Sequence, residues 1–263
     1  VGRQTALGDF PVNLVVDPNG KFVAALHCGY GQHEVRVLEI ASGRQVCAAG
    51  LPESFYGLAF SPDGRRLYAS GAGDEVLHSF EFQGGYLSRP SNIRLRDRRL
   101  RAVPAGLTVA PDGQRLYVAN VWGHRVSVVN LAAEPRSEDI AIGTNELVRV
   151  EGGPKQPADA DLNAILKRAE ADLDPTMSSD PFPYACVMDA KRERLYVSLW
   201  AQAAVAVVDL QARQVIARWP CDEHPNEMLL TTNGQHLYVA CANRNTVAVF
   251  DTTNGRQVET LVA

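Results

Sequence analysis

The sequence predicts an all-β protein made of five copies of one four-stranded antiparallel unit, arranged radially as the blades of a β-propeller. The first observation is a phrase of turn, apolar strand, polar break and second apolar strand that recurs five times in 263 residues. The second is its spacing, because a repeat period in the forties is typical of stacked supersecondary units. The turns are centred on Gly20, Gly64, Gly113, Arg192 and Gly234, which lie 44, 49, 79 and 42 residues apart.

The first strand of each copy is short and apolar, and it ends in a tight turn. Leu58-Ala59-Phe60 leads into Ser61-Pro62-Asp63-Gly64. Glycine readily adopts a positive φ, which closes such a hairpin without steric cost. The fourth copy has Lys191-Arg192-Glu193 where the others have this glycine turn, so its first hairpin is expected to close differently.

The second and third strands are aromatic or β-branched, as in residues 237–240 (Leu-Tyr-Val-Ala) and 247–250 (Val-Ala-Val-Phe). Such residues favour strands. Because they are apolar on both faces, their sheets are expected to be covered on both faces, which radial stacking of blades provides. A fourth, more polar segment such as residues 255–261 fits the outer edge, where charge discourages edge-to-edge pairing.

The first residues repeat the pattern of an outer strand. Residues 2–8 begin Gly-Arg-Gln, as residues 255–261 do. We therefore expect residues 2–8 to form an outer strand whose three inner partners lie outside this chain, and the chain to be a fragment of a longer protein. At least one further blade would follow Ala263, and two would follow it in a ring of seven.

The long interval between the third and fourth turns indicates an insertion over residues 144–180. Its apolar residues Leu162, Ile165, Leu166, Ala169 and Leu173 share one helical face, which predicts a short helix over residues 159–173. An acidic cap starts this helix, and it stops before a proline. The insertion can be a structural flap, or a lid that docks a partner or covers a site.

Composition excludes several classes of protein. No apolar run approaches the length of a membrane-spanning helix, so no membrane span is expected. The net charge of −4 and the pI near 5.9 provide no positive field for nucleic acid. The five cysteines, at positions 28, 47, 186, 221 and 241, have no zinc-like spacing and are expected to be free or packing thiols.

Catalytic motifs are missing from the sequence. It contains no GxSxG, HExxH, Walker loop or complete GxGxxG motif. Asp222-Glu223-His224 has metal-ligating residue types, although a solvated loop turn is the favoured interpretation. We therefore predict no catalytic residue, no metal site and no cofactor in this chain.

The loops are the best candidates for a binding surface. In a four-stranded blade, the connection from strand two to strand three and the entry into the next blade emerge on the same face. Aromatic and basic residues there would suit recognition, although propeller loops also use aromatic residues to pack against one another. The candidate residues are Tyr30, His33, Tyr56, Trp122, His124, Arg125, Tyr184, Trp200, His224 and Arg244.

The strongest run of charge is the basic stretch at residues 94–101 (Arg-Leu-Arg-Asp-Arg-Arg-Leu-Arg). Its alternation favours an exposed outer strand with arginines as edge protection. Anion or partner binding is one alternative. Pairing with the acidic residues 170–174 is another.

The strand sequences resemble the YVTN (YncE-like) family of β-propeller repeats. Residues 116–120 (Leu-Tyr-Val-Ala-Asn), 195–198 and 237–240 match its name-giving strand, and the preceding Pro-Asp-Gly at residues 111–113 and the following Val-x-Val-x-Asp/Asn match its flanks. The resemblance covers nearly the whole chain apart from the insertion. It is specific to fold rather than to chemistry.

The resemblance also implies two classes of function. Similar propellers precede an alkaline-phosphatase-like phosphoesterase domain in bacterial proteins, which implies an extracytoplasmic, noncatalytic module that recognises a ligand, substrate or protein for a linked catalytic domain. The alternative is an enzyme active in the propeller itself, such as a lactonase-like hydrolase or a cofactor-dependent oxidoreductase. A carboxylate and histidine set in the central channel would favour the enzyme.

Overall fold

The computed structural model describes residues 4–132, 134–143 and 180–262, which form five four-stranded antiparallel sheets arranged as a propeller. In every sheet the strands follow chain order from the inner to the outer edge. The predicted all-β fold and the number of blades are confirmed. The predicted helix over residues 159–173 lies outside the described residues.

The twenty strands have the following bounds. Blade one consists of β1 (Pro11–Val16), β2 (Phe22–His27), β3 (Glu34–Glu39) and β4 (Gln45–Gly50). Blade two consists of β5 (Leu58–Phe60), β6 (Arg66–Ser70), β7 (Val76–Gln83) and β8 (Tyr86–Arg94). Blade three consists of β9 (Pro104–Val109), β10 (Arg115–Asn120), β11 (Arg125–Asn130) and β12 (Arg136–Ala141). Blade four consists of β13 (Pro183–Asp189), β14 (Arg194–Leu199), β15 (Ala204–Asp209) and β16 (Gln214–Pro220). Blade five consists of β17 (Pro225–Leu230), β18 (His236–Cys241), β19 (Thr246–Asp251) and β20 (Gln257–Val262).

The hairpins close as the turn residues predict. Gly64 and Gly113 both have a φ of +67°, the left-handed conformation that the first hairpin requires. In blade four, Glu193 adopts a left-handed φ of +52° instead. Its turn is held by the Asp189 carboxylate, which accepts hydrogen bonds from the backbone N–H groups of Lys191 (3.1 Å) and Arg192 (3.2 Å). The left-handed residue of this turn is thus Glu193 rather than a glycine, and the predicted difference is confirmed.

The core lies in the seams between neighbouring blades. Tyr117 of blade three and Tyr196 of blade four are almost fully buried, and each points into the seam with the following blade. The corresponding Tyr238 of blade five is only half-buried, and Leu229 on β17 is 66% exposed. The outward face of blade five is therefore uncovered by the described residues, whereas the side chains in the inner seams are buried.

The inner strands approach one another closely at the propeller axis. A Cβ atom on Gly106 of β9 would lie 2.6 Å from both the Tyr184 carbonyl oxygen and the Ala185 Cα of β13. One on Gly57, just before β5, would lie 2.1 Å from the Ala105 carbonyl oxygen. Only glycine permits backbones to pack at these distances, so these two residues set the spacing of blades two, three and four.

The outer strand expected at residues 2–8 is not formed by residues 4–8, the part that the structure describes, and because its expected partners lie outside this chain the expectation stays a prediction. A strand needs a hydrogen-bonded neighbour, and residues 4–8 have none among the described strands. They lie instead beside blade one, where Gly8 contacts the Arg36 side chain and the Phe10 carbonyl accepts a hydrogen bond from the backbone of Cys28 (3.3 Å).

The expectation that residues 94–101 form an exposed outer strand is wrong. Only Arg94 belongs to β8, and Arg98–Leu100 form a 3-10 turn. Arg96 points inward with 6% of its side chain exposed. The physical reason is Glu75, whose fully buried carboxylate needs a cation and receives one from Arg96 at 3.1 Å.

Two further expectations concern the membrane and the cysteines. No helix among the described residues is long and apolar enough to cross a membrane. All five cysteines are free thiols, as predicted.

The buried His27 is expected to make stability fall in mild acid. Burial lowers the pKa of His27 below its usual value of 6.5; neighbouring Arg36 lowers the pKa further, while Glu34 opposes the shift. The unfolded chain therefore takes up a proton that the folded chain resists, and stability is lost as the pH falls through 6.5. Leu199 occupies the equivalent position in blade four, since both residues pair with the first residue of their inner strand.

A His27→Leu variant should therefore lose less stability than the wild type between pH 7 and pH 5. Urea unfolding at both pH values, followed by circular dichroism, measures the difference. Equal losses in the two proteins would contradict a role for His27. A residual slope is expected in both, because burial also lowers the pKa of His124.

Candidate functional site

The predicted candidate residues lie on one face of the propeller, which we call the upper face. It consists of the connections between the second and third strands and of the entries into each blade. The same backbone device anchors four of these connections. A left-handed, non-glycine residue precedes the inner strand, and its carbonyl accepts a hydrogen bond from the connection after the second strand. The left-handed residues are Phe10, Val103, Phe182 and His224, with φ between 44° and 56°. Their donors are the N–H groups of Cys28, Val121, Trp200 and Ala242, at 3.0 to 3.3 Å.

The left-handed residue before each of these inner strands costs conformational energy and fixes the adjacent loop. Left-handed conformations are uncommon for residues with a Cβ atom, and a surrounding structure must impose them. Each one ties the entry of a blade to the connection beside it. Backbone hydrogen bonds therefore fix these loops of the upper face in place.

Two pairs of rings lie on this face, and we call these four residues the aromatic rim: His124, Phe182, Trp200 and His224. Trp200 and His224 stack with ring centroids 3.9 Å apart and an interplanar angle of 8°. His124 and Phe182 meet edge to face at 5.2 Å. The backbone N–H of Trp200 donates to the backbone carbonyl of Phe182 at 3.1 Å, and this hydrogen bond joins the two pairs. The rim therefore runs from blade three to blade five.

Charged groups flank both ends of the aromatic rim. At the blade-five end, Arg244 lies 3.3 Å from Glu223, and 61% of the Arg244 side chain is exposed. At the other end, the His124 Nε2 lies 3.8 Å from the Asp180 carboxylate. Burial lowers the pKa of His124, and Asp180 opposes the shift. Near neutral pH this imidazole is therefore mainly uncharged.

The three residues Asp222-Glu223-His224 have separate partners. Asp222 accepts a hydrogen bond from Thr246 at 2.6 Å, Glu223 pairs with blade five, and His224 stacks on Trp200. Their side chains do not converge, in agreement with the loop-turn interpretation. Among the residues that the structure describes, no group of three or more His, Cys, Asp or Glu side chains could hold a metal ion.

A second group, the axial cluster, consists of Tyr56, Tyr184 and Glu227. The two tyrosine rings lie 4.6 Å apart, and the Tyr56 hydroxyl donates to the Glu227 carboxylate at 2.5 Å. These residues belong to blades two, four and five, and residues from non-adjacent blades meet near the propeller axis. Burial raises the pKa of both tyrosines, that of Tyr184 to about 12, so both phenols stay protonated at neutral pH.

The remaining predicted residues do not join these two groups. Tyr30 is fully exposed, and Trp122 is 57% exposed without a ring partner among the described residues. His33 has a structural contact, since its Nδ1 accepts the Ser54 N–H at 2.9 Å. Arg125 donates to the Gly123 carbonyl at 2.7 Å. The loop-packing interpretation therefore fits His33 and Arg125.

Sequence reasoning missed Phe182 and Glu227. Phe182 precedes β13 directly, and its equivalence to His224 becomes visible only when the left-handed residues are aligned in space. Glu227 lies on a polar stretch of β17 that nothing in the sequence distinguishes. Its partner Tyr56 is 171 residues away in the chain.

Comparisons with known proteins support the fold alone. No protein-family model and no curated protein matches the chain. The chain is similar to a solved structure of a functionally unknown protein from Desulfotomaculum acetoxidans, with 14% identity, 95% of this chain and 71% of that chain covered, and a TM-score of 0.66. It is also similar to a putative 6-phosphogluconolactonase from Bacteroides uniformis, with 15% identity, coverages of 96% and 71%, and a TM-score of 0.68. A third similar structure is virginiamycin B lyase from Staphylococcus aureus, with 11% identity, coverages of 96% and 70%, and a TM-score of 0.66.

Proposed function

We propose that this β-propeller is a noncatalytic recognition module that binds a ligand, a substrate or a protein partner through its aromatic rim. The observation that carries the proposal is the stacked pair of Trp200 and His224 beside the exposed guanidinium of Arg244. Aromatic residues and arginine are the types most enriched at binding hot spots. Loops held by a rigid scaffold are the usual location of such surfaces.

The chemistry of the rim suggests what it would bind. The half-buried Trp200 and His224 offer apolar ring surface, and the more exposed Trp122 lies on the same face in blade three. Arg244 adds a planar cation that can pair with a carboxylate or stack on a ring. A ligand with an apolar or planar body and an acidic group would use both features.

Removing two indoles of the upper face should abolish binding without unfolding the protein. In a Trp122→Ala/Trp200→Ala variant, ligands selected by the wild type from peptide and glycan arrays should bind at least about tenfold more weakly, as expected for loss of hot-spot residues. The thermal midpoint should change little, because neither indole is part of the buried core.

Tyr86→Ala is the matched control, since Tyr86 is an exposed aromatic residue (62%) in the β7–β8 hairpin, away from the upper face. If Tyr86→Ala lost as much binding to the array ligands as the double variant, the aromatic rim would not be the binding surface. A double variant that unfolds would show that the indoles serve packing instead.

The alternative function is an enzyme with its site in the central channel, and the axial cluster favours it. The Tyr56 phenol fixes the Glu227 carboxylate near the propeller axis, and a positioned carboxylate is a candidate general base. The similar structures include one named a putative lactonase and one named a lyase, so the fold can carry enzymes. Lactone hydrolysis by the wild type that is lost in Glu227→Gln would favour this alternative over the recognition module.

The linked domain is a separate proposal that rests on the resemblance to YVTN-repeat propellers. In that arrangement an extracytoplasmic phosphoesterase domain belongs to the same protein, and this chain presents substrates or partners to it. The uncovered apolar face of blade five would pack against a further blade of the ring. The isolated chain should then show no hydrolysis of an aryl phosphate, with or without divalent metal, and turnover would contradict the proposal.

A further inference from the structure

A groove lies between blades three and four on the lower face, which carries the hairpins opposite the aromatic rim. Its volume is about 260 Å³. Three arginines line it, Arg115 at the start of β10, Arg136 at the start of β12 and Arg213 just before β16. Among the described residues, Glu138 is the only acidic one in the lining. Arginines therefore outnumber carboxylates among these lining residues, while Asp112 and Glu193 lie close enough to act on Tyr117.

The arginines are incompletely neutralised. Arg213 pairs with Glu138 at 2.5 Å, and Arg115 lies 3.4 Å from Asp112 at the groove edge. The guanidinium of Arg136 has no hydrogen bond or ion pair to any described residue. Its five N–H groups are available for an acceptor, and arginine is the residue best suited to bind oxyanions through two parallel hydrogen bonds.

A tyrosine supplies a further donor. Tyr117 is 1% exposed and lines the groove, yet its hydroxyl makes no hydrogen bond to the described residues. The hydroxyl is not among the fully buried polar atoms that lack a partner, so it reaches the groove and is accessible to a ligand. Burial raises the pKa of Tyr117, so the hydroxyl is protonated at neutral pH and can donate.

The neighbouring grooves differ in ways that single out this one. In the seam between blades four and five, Trp219 occupies the position that Ile140 has in blade three, as the strand registers show. Its ring packs against Tyr196 (5.2 Å) and Phe250 (5.5 Å) and takes up the space. The groove between blades two and three is larger, about 730 Å³, but its lining has mixed charge, with Asp63, Glu81, Asp112, Arg65 and Arg66.

From these observations we propose that the groove between blades three and four binds the phosphate group of a small phosphorylated molecule. Arginines on β10, β12 and the β15–β16 turn line the groove, and a phosphate group offers more acceptor oxygens than a carboxylate for their guanidinium N–H groups. The volume is just below the range typical of sites for drug-sized ligands, so it fits a phosphate with a few carbon atoms. This site is independent of the recognition surface on the upper face.

Titration with inorganic phosphate, measured by calorimetry at constant ionic strength, tests the proposal. The wild type should bind phosphate saturably. An Arg136→Gln/Arg213→Gln variant should bind it at least about tenfold more weakly, since two charge-assisted contacts are lost. Tyr117→Phe, which keeps the ring in the seam, should weaken binding by about threefold or more.

The matched control is Arg65→Gln/Arg66→Gln, which removes the same charge from the lower face but outside this groove. It should bind phosphate as the wild type does. An equal loss in this control would reveal non-specific attraction and overturn the site. Absence of saturable binding to the wild type, or binding unaffected by the Arg136/Arg213 variant, would also overturn it. If acetate bound as tightly as phosphate, the proposal that the ligand is a phosphorylated molecule would be overturned.

Discussion

Replacing Arg96 with alanine is expected to destabilise the propeller by about 3 to 5 kcal/mol, the range for removing one partner of a buried ion pair. The guanidinium of Arg96 bonds to Glu75 (3.1 Å), Asn120 (2.7 Å), Asp139 (2.8 Å) and the Ser127 hydroxyl. It thus connects blade two to blade three.

The loss is large because Glu75 would remain behind. Its side chain is fully buried, and its second oxygen accepts the Val103 N–H at 2.7 Å. Burial raises the pKa of Glu75, and Arg96 opposes the shift. Without Arg96, the carboxyl either stays charged without a cation in a buried seam or takes up a proton, and both states are unfavourable.

Urea unfolding followed by circular dichroism measures this loss. Arg98→Ala is the control, because Arg98 comes from the same basic stretch and pairs with Asp74, but 67% of its side chain is exposed. It should cost no more than about 1 kcal/mol. A double variant, Glu75→Leu/Arg96→Met, should recover part of the stability lost in Arg96→Ala. A loss below about 1 kcal/mol in Arg96→Ala would contradict the proposed linkage.

The second large effect is expected at the propeller axis. Gly106→Ala should destabilise the fold by about 3 kcal/mol, the upper end of the usual cost of overpacking. The added methyl group would lie 2.6 Å from two backbone atoms of β13, which cannot rotate away as a side chain could. β13 would have to move, and Tyr184 of the axial cluster would move with it.

Gly73→Ala provides the matched comparison, since a Cβ atom at Gly73 would meet nothing within 4 Å. This variant should be close to neutral. Thermal unfolding of both variants measures the difference. Similar midpoints for the two proteins would show that the inner strands can separate at little cost.

The sequence by itself determined the blades of this protein. Strand identity depends on local alternation and turn chemistry, and Gly64 or Gly113 carries its hairpin signal within a few residues. The different hairpin of blade four could also be predicted, because Arg192 and Glu193 replace the glycine of the other turns. Trp200, His224 and Arg244 could be assigned to one face because strand order alone decides at which end of a blade a loop emerges.

Only the tertiary structure decided which of these residues meet. The stack of Trp200 on His224 and the hydrogen bond from Tyr56 to Glu227 join different blades, so no local pattern reports them. The basic stretch at residues 94–101 also could not be placed from the sequence alone. Its alternation matches an exposed strand, yet Arg96 points inward because Glu75, 21 residues earlier, is buried and pairs with no other cation among the described residues. Burial of a charge depends on a partner brought near by the fold, and that partner is not encoded in the neighbouring residues.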